Sequence, residues 1–424
     1  TNVASDALSN LSSPGVMGGA LIVVGEDYGE GASVIQERTH AFAMKSAMWL
    51  MDPRPNLPTI VRMVEKSFEL SEASNTPVMM ELRIRTCHVK GSFMAKDNVA
   101  PAVSALHLQT SPPAFNYDRL AHPPATFKHE KLKYESRMPA ARRFIVEQGL
   151  NEQWDGEERQ LGLIVQGGLY NALIRALQEL GLADADGNTR IPILALNVVY
   201  PLVPEQLEAF CQDKQAVLVL EEGQPEFIEQ EIATHLRRRG LTTALHGKDV
   251  LPMGGEYSAE VVLAGLSKFL TRHAPQLVKH ETPLVTQALA EVRTKVTQIL
   301  QAPVPPRPPT FCTGCPERPV FAALKLVQQT TGPLHISADI GCHAFATFEP
   351  FSYGHSILGY GMSLASSAAV KNFSSQRPVA IMGDGGFWHN GLLSGVSSAL
   401  LNQGDGVLVI MKNGYTSATG TQET

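Results

Sequence analysis

The residues best suited to chemistry stand near the end of the chain. Gly383-Asp384-Gly385 follows the apolar run Pro378–Met382, and 27 residues separate that triplet from Asn413, just after a second apolar run, Val407–Met411. The pattern predicts a strand, a tight glycine turn, a helix and a second strand. Parallel strands joined in this way put Asp384 and Asn413 at one C-terminal sheet edge, where open α/β sheets bind ligands. Asp384 offers a carboxylate oxygen, Asn413 an amide oxygen and Tyr415 a backbone carbonyl. Mg2+ prefers such oxygens and completes an octahedron with water and diphosphate oxygens. Gly383, Gly385 and Gly386 let backbone amides approach phosphate, and the following helix points its positive end there. The competing reading is an aspartate that merely caps that helix.

Three of the five cysteines, Cys312, Cys315 and Cys342, fall within residues 312–342. They allow three readings. They could be part of a 4Fe-4S cluster, which normally takes four ligands. They could hold zinc, with His335 or His343 as fourth ligand. Or they could be small buried residues. Spacing leaves the three open. Cys211, beside Phe210, reads as core, and Cys87 carries only a weak metal signal. His389 lies five residues after Asp384 at a helix start. Proton transfer, or a contact with a substrate carboxylate, competes there with a local hydrogen bond. His343 reads as local structure. Phe387 and Trp388 are candidate walls of an aryl pocket, with core packing expected of one of them.

These residues need a scaffold, and the chain predicts multidomain α/β architecture with three parallel-sheet units. At roughly 150 residues per domain, 424 residues imply two to four domains. The 44% hydrophobic and 18% charged content excludes disorder as the dominant state. A net charge of -6 argues against a broad nucleic-acid footprint. No apolar run approaches about 18 residues, so no transmembrane helix is expected. Residues 1–100 read as part of one α/β domain. Its strand Ala20–Val24 leads into the polar loop Glu26–Arg38, a candidate lining of the cofactor pocket. Asn56 is placed to cap a helix with Leu57, Ile60, Val61, Val64 and Phe68 on one face. Residues 101–158 read as a linker arm with a helix starting at Pro139. Residues 159–275 alternate strand and helix, with strands at Leu161–Val165, Ile191–Val198 and Ala216–Leu220, and imply a parallel sheet. Residues 276–308 read as a second linker ending in the Pro-rich Ala302–Pro308. Residues 309–424 form the last unit, incomplete, with a helix bearing Leu392, Leu393, Val396, Ala399 and Leu400 on one face. Thr1–Asp6 looks like the interior of a domain and Thr416–Thr424 follows a strand with no closing element, so the chain is expected to be a fragment.

The diphosphate pattern resembles that of thiamine diphosphate enzymes. More specifically, Pro378–Gly420 is similar to the 2-oxoacid:ferredoxin oxidoreductases, in the indolepyruvate branch. Further matches are Gly18–Asp27, Val199-Tyr200-Pro201-Leu202, Val219–Glu222, Gly247–Pro252, Cys312–Pro316 and Asp339–Cys342, in family order over almost the whole chain. The resemblance implies a partial pyrimidine domain, a transketolase-C-like domain and a diphosphate domain. It implies a cytoplasmic enzyme holding thiamine diphosphate, Mg2+ and a 4Fe-4S cluster. That enzyme would decarboxylate an aryl 2-oxoacid, with CoA as acyl acceptor and ferredoxin as electron acceptor. It also implies a smaller beta subunit and a dimer of heterodimers. The family's catalytic glutamate would lie upstream of Thr1; Glu26, Glu30 and Glu37 do not match it. The fourth cluster cysteine would come after the diphosphate motif. Glu221-Glu222 is expected to be structural. A non-oxidative thiamine enzyme and a non-catalytic partner subunit are the alternatives.

Overall fold

A computed structural model describes residues 4–29, 36, 38–100, 116–278, 282–301, 310–416 and 422–424. Glu30 and Glu37, residues 101–115 of the arm, the Ala302–Pro308 run and residues 417–421 lie outside the described residues. The chain forms two units, residues 1–303 and 304–424. It is mixed α/β with three largely parallel sheets, as the alternation of its apolar runs predicts.

The first unit holds two of the sheets. β1 (Leu21–Glu26), β2 (Trp49–Met51) and β3 (Val78–Arg83) pair in parallel in the order β1-β3-β2. β4 (Glu152–Trp154) and β5 (Leu161–Gln166) open the second sheet. The run Ile191–Val198, expected as one strand, is divided. β6 (Ile193–Leu196) stays in the second sheet, while β7 (Val198–Tyr200) crosses to the first and pairs antiparallel with β2. β8 (Ala216–Leu220) and β9 (Ala244–His246) complete the second sheet, in the order β4-β6-β5-β8-β9. The crossing is held by Asn197, which is fully buried. Its Nδ2 donates to the Leu150 carbonyl at 2.8 Å and to Glu152 Oε2 at 2.9 Å. Its Oδ1 accepts from the Arg54 N–H at 2.8 Å, and its carbonyl from the Asp52 N–H at 2.9 Å. A buried amide is tolerated only when partnered this way.

Three helical expectations need correction. Asn56 does cap the helix Leu57–Ser74, accepting from the Thr59 N–H at 2.9 Å. The buried face, however, is Thr59, Met63, Ser67, Leu70, Ser71 and Ser74, while Phe68 is exposed. Small serines let the helix approach the sheet closely, and their hydroxyls bond within the unit, as Ser74 does to the Leu70 carbonyl. Around Pro139, helix begins earlier, at Ala125. It passes through a π-type segment, Lys133–Arg137, into Met138–Glu147. The wider turn accommodates a proline that lacks the N–H a regular helix needs. Within the expected linker 276–308, Thr282–Leu300 is a helix.

The second unit has one parallel sheet. β10 (Ile336–Ala338), β11 (Ser356–Ile357), β12 (Val379–Gly383) and β13 (Val407–Met411) are parallel, in the order β11-β10-β12-β13. The helix after β12 does not bury the predicted leucine face. It is π-type over Phe387–Val396, so a 3.6-residue period does not describe its faces. Gly391 and Gly395 are its buried residues, and Leu393 is 73% exposed. A Cβ on Gly391 would lie 2.7 Å from Met382 Sδ, so this helix rests on β12 through bare backbone. Among the described residues no helix is long and apolar enough to cross a membrane.

His40 offers a test of the first unit's core. It is 1% exposed, lies against Phe227 and Tyr200, and neither ring nitrogen has a hydrogen-bond partner. Burial, and then the charge of Arg38, pull its pKa down to about 3. The unfolded chain takes up this proton below about pH 6.5, the folded chain only near 3, so stability is lost as pH falls through that window. At pH 5 the loss from this residue amounts to about 2 kcal/mol. His40→Phe is expected to abolish that part. Urea midpoints at pH 7 and pH 5 check it; an equal acid loss in both proteins would contradict it.

Candidate cofactor-binding site

β12 and β13 pair in register from Val379↔Val407 to Gly383↔Met411, so the strands end side by side. Asp384 follows one end and Asn413 the other, as their spacing predicts. Asp384 is 6% exposed. Its Oδ1 accepts from the Gly385 N–H, and its Oδ2 from the Gly414 N–H and the Thr424 hydroxyl, all at 2.9 Å. Burial alone would disfavour the ionised form. These donors outweigh it and hold the carboxyl below the ordinary carboxylate range. Asn413 Oδ1 accepts from the Tyr415 N–H at 3.2 Å, bending the chain around Gly414, whose φ is 82°. The tail also closes in a way its composition hides: Tyr415–Thr416 pairs antiparallel with Gln422–Glu423.

The glycines leave the turn bare. A Cβ on Gly385 would stand 2.4 Å from Thr416 Oγ1 and 2.5 Å from the Tyr360 hydroxyl. On Gly386 it would stand 2.8 Å from Asp339 Oδ2. Gly383, Asp384, Gly385, Gly386, Asn413 and Tyr415 thus line one cavity of about 290 Å3. An ionised carboxylate, an amide oxygen and an open glycine turn at a sheet edge fit a divalent cation with a diphosphate.

Sequence reasoning missed several residues of this cavity. Glu317, Tyr360 and Thr416 line it. Asp339, fully buried beneath it, accepts from the Gly361 and Ile340 N–H groups at 2.8 and 2.7 Å, and burial pushes its pKa up to about 6. His343, read as local structure, lines the cavity; burial pulls its pKa down to about 4. Burial pushes Glu317 up to about 7. Glu317 did carry one signal, a carboxylate placed to open a helix directly after Cys315-Pro316.

The cysteines do not behave as a metal set. Among the described residues no group of three or more His, Cys, Asp or Glu side chains is placed to hold a metal ion. Cys342 lines the cavity, Cys315 packs against the unit's core and Cys312 is exposed. Among the described residues Cys312, Cys315 and Cys342 are therefore not gathered into a 4Fe-4S or zinc site, and neither group is shown. His389 is not in the cavity wall; its ring lies against that of Tyr360, centroids 4.9 Å apart. Phe387 packs on the core and Trp388 is exposed. Cys211 is buried, its thiol pushed up to about 12 by burial.

The strand-end carboxylates of the first unit have other tasks. Glu26 accepts from the Thr39 N–H at 3.1 Å, opening the helix Thr39–Ser46. Glu221 accepts from the Ile228 and Glu229 N–H groups and pairs with Arg38 at 2.5 Å. Glu222 pairs with Arg83 and with Arg85.

Residues 339–424 match the family model described as thiamine pyrophosphate enzyme, C-terminal TPP binding domain. Residues 151–248 match the indolepyruvate ferredoxin oxidoreductase middle domain. Indolepyruvate oxidoreductase subunit IorA of Methanothermobacter marburgensis is 27% identical over 99% of this chain and 63% of its own. The same subunit of Thermococcus kodakarensis is 27% identical over 99% of this chain and 64% of its own. The chain thus spans just under two thirds of the length of these relatives. A solved 2-oxoglutarate:ferredoxin oxidoreductase from Magnetococcus marinus aligns over 63% of this chain and 50% of its own at 14% identity. Its TM-score of 0.39 is too low to carry any argument. Along 99% of its length the chain is similar to indolepyruvate oxidoreductase IorA subunits, and its residues 339–424 are similar to a TPP-binding domain.

Proposed function

We propose that this chain is the thiamine-diphosphate-binding part of a cytoplasmic 2-oxoacid:ferredoxin oxidoreductase. It would decarboxylate an aryl 2-oxoacid, indolepyruvate being the leading candidate, to the acyl-CoA and CO2, with two electrons passing to ferredoxin. It would work with a smaller beta subunit, as a dimer of heterodimers. The observation that carries this reading is the pairing of Gly383 with Met411, which sets Asp384 beside Asn413 around an open glycine turn.

Asp384, Asn413 and the Tyr415 carbonyl would hold Mg2+, and the N–H groups of the Gly383–Gly386 turn would face the diphosphate. Thiamine diphosphate, when bound, supplies a carbon nucleophile and an electron sink. The chain's task is to hold it, orient it and keep the carboxylate of Asp384 ionised. Tyr360 forms part of the wall, and His389, its ring tilted against that of Tyr360, positions it from outside the cavity wall. No electron route through Cys312, Cys315 and Cys342 is proposed. A second reading is a non-oxidative thiamine decarboxylase. With the beta subunit present, indolepyruvate and CoA are expected to drive methyl viologen reduction. Aldehyde release without dye reduction would establish the second reading instead.

Thermal denaturation tests the site itself. Thiamine diphosphate with Mg2+, at about 100 times its dissociation constant, stabilises a folded protein by about 2.7 kcal/mol, or a few degrees. That shift is expected for this chain, and chelation of the cation should abolish it. Gly385→Ala is expected to lose it as well, because its methyl group collides with Thr416 and Tyr360. A full shift in Gly385→Ala would show that the ligand sits elsewhere.

A further inference from the structure

The helix Phe227–Arg239 carries a stripe of side chains that the core does not use. Ile228, Ile232 and Leu236, four residues apart, are its buried face. Phe227, Glu231, Thr234, His235 and Arg238 form the neighbouring stripe, and all five line one cavity of about 500 Å3. Met44, Arg142 and Leu207 close it from three other helices, Thr39–Ser46, Met138–Glu147 and Pro204–Cys211. The cavity lies wholly within the first unit, and its size is that of a small-molecule site.

Its floor is apolar, and its positive charge is open. Met44, Leu207 and the ring of Phe227 supply hydrocarbon surface. Arg142 donates from Nε to the Leu202 carbonyl at 2.8 Å, which fixes the guanidinium plane and leaves its outer N–H groups for another acceptor. Among the described residues neither Arg142 nor Arg238 is in an ion pair. Glu231 shares the wall without pairing with either. Burial raises its pKa, against the pull of Arg142 and His235, and so favours the neutral carboxyl, which does not repel an anion. His235 is engaged elsewhere, by Glu208 at 2.6 Å. A guanidinium held in one plane beside an apolar floor suits a carboxylate on a flat hydrocarbon body. The planar fork meets a carboxylate through two parallel hydrogen bonds. Aromatic rings make favourable contacts with other rings and with methionine sulfur.

The geometry points to a second binding site, in which this cavity takes an aryl carboxylate. Its ring lies on Phe227 and Met44, its carboxylate meets the Arg142 guanidinium, and Arg238 stands at the exposed rim. The inference concerns the first unit alone and does not rest on the thiamine diphosphate reading.

Naphthaleneacetate and its uncharged amide share the ring and differ in the charge, and each is titrated calorimetrically into the full chain. The wild type is expected to bind the acid saturably, one per chain, and the amide about tenfold more weakly, the scale of a hydrogen bond to a charged group. Arg142→Gln is expected to weaken the acid about tenfold and the amide less than about twofold, with the melting temperature without ligand as the control for folding. Arg238→Gln, at an exposed position, should also weaken the acid selectively, and it decides the question should Arg142→Gln melt well below the wild type. Thiamine diphosphate with Mg2+ is expected to leave acid binding unchanged. No saturable binding by the wild type, equal affinity for acid and amide, or full-strength acid binding in both variants would overturn the assignment. Displacement of the acid by thiamine diphosphate would overturn it too, by placing the probe in the second unit's cavity.

Discussion

The parallel pairing of Val379–Gly383 with Val407–Met411 is the constraint on which the site depends. Main-chain hydrogen bonds between these strands set two distant turns at one edge. Asp384 then finds three donors, from Gly385, Gly414 and Thr424. Those donors keep a nearly buried carboxylate ionised, which a cation site requires. A one-residue slip in this register would turn Asp384 to the other face of the sheet and separate it from Gly414.

Strand-end carboxylates in both units find protein partners. In the first, Glu26, Glu221 and Glu222 are all engaged, by helix N–H groups or by Arg38, Arg83 and Arg85. Arg83 is 2% exposed and also pairs with Asp52 at 2.6 Å. Such buried networks fix geometry more surely than they add stability. In the second unit Glu317 and His343 each keep one atom unpartnered against a cavity.

Local signals in the sequence were read well. Gly383-Asp384-Gly385 between two apolar runs specifies strand, turn, helix and strand with few alternatives, and Asn56 marks its helix start. The failures came where a local rule met tertiary packing. The Phe387–Val396 helix is π-type and buries glycines, so a 3.6-residue period pointed to the wrong face. The Leu57–Ser74 helix buries serines, which no hydrophobicity pattern marks. Cys312, Cys315 and Cys342 have suggestive spacing, but spacing does not bring side chains together, and among the described residues they form no metal-holding group. Glu317 and Tyr360 enter the cavity from segments remote from the diphosphate motif, so no short pattern contained them.

The central claim is that Asp384 holds a cation that in turn holds a diphosphate. Calorimetric titration of thiamine diphosphate into the full chain, with and without Mg2+, in wild type and in Asp384→Asn, tests it most directly. Saturable binding at one site per chain is expected in wild type with Mg2+, with loss of that binding when either the cation or the carboxylate is removed. Binding of the same strength in Asp384→Asn, or in the absence of any divalent cation, would contradict it.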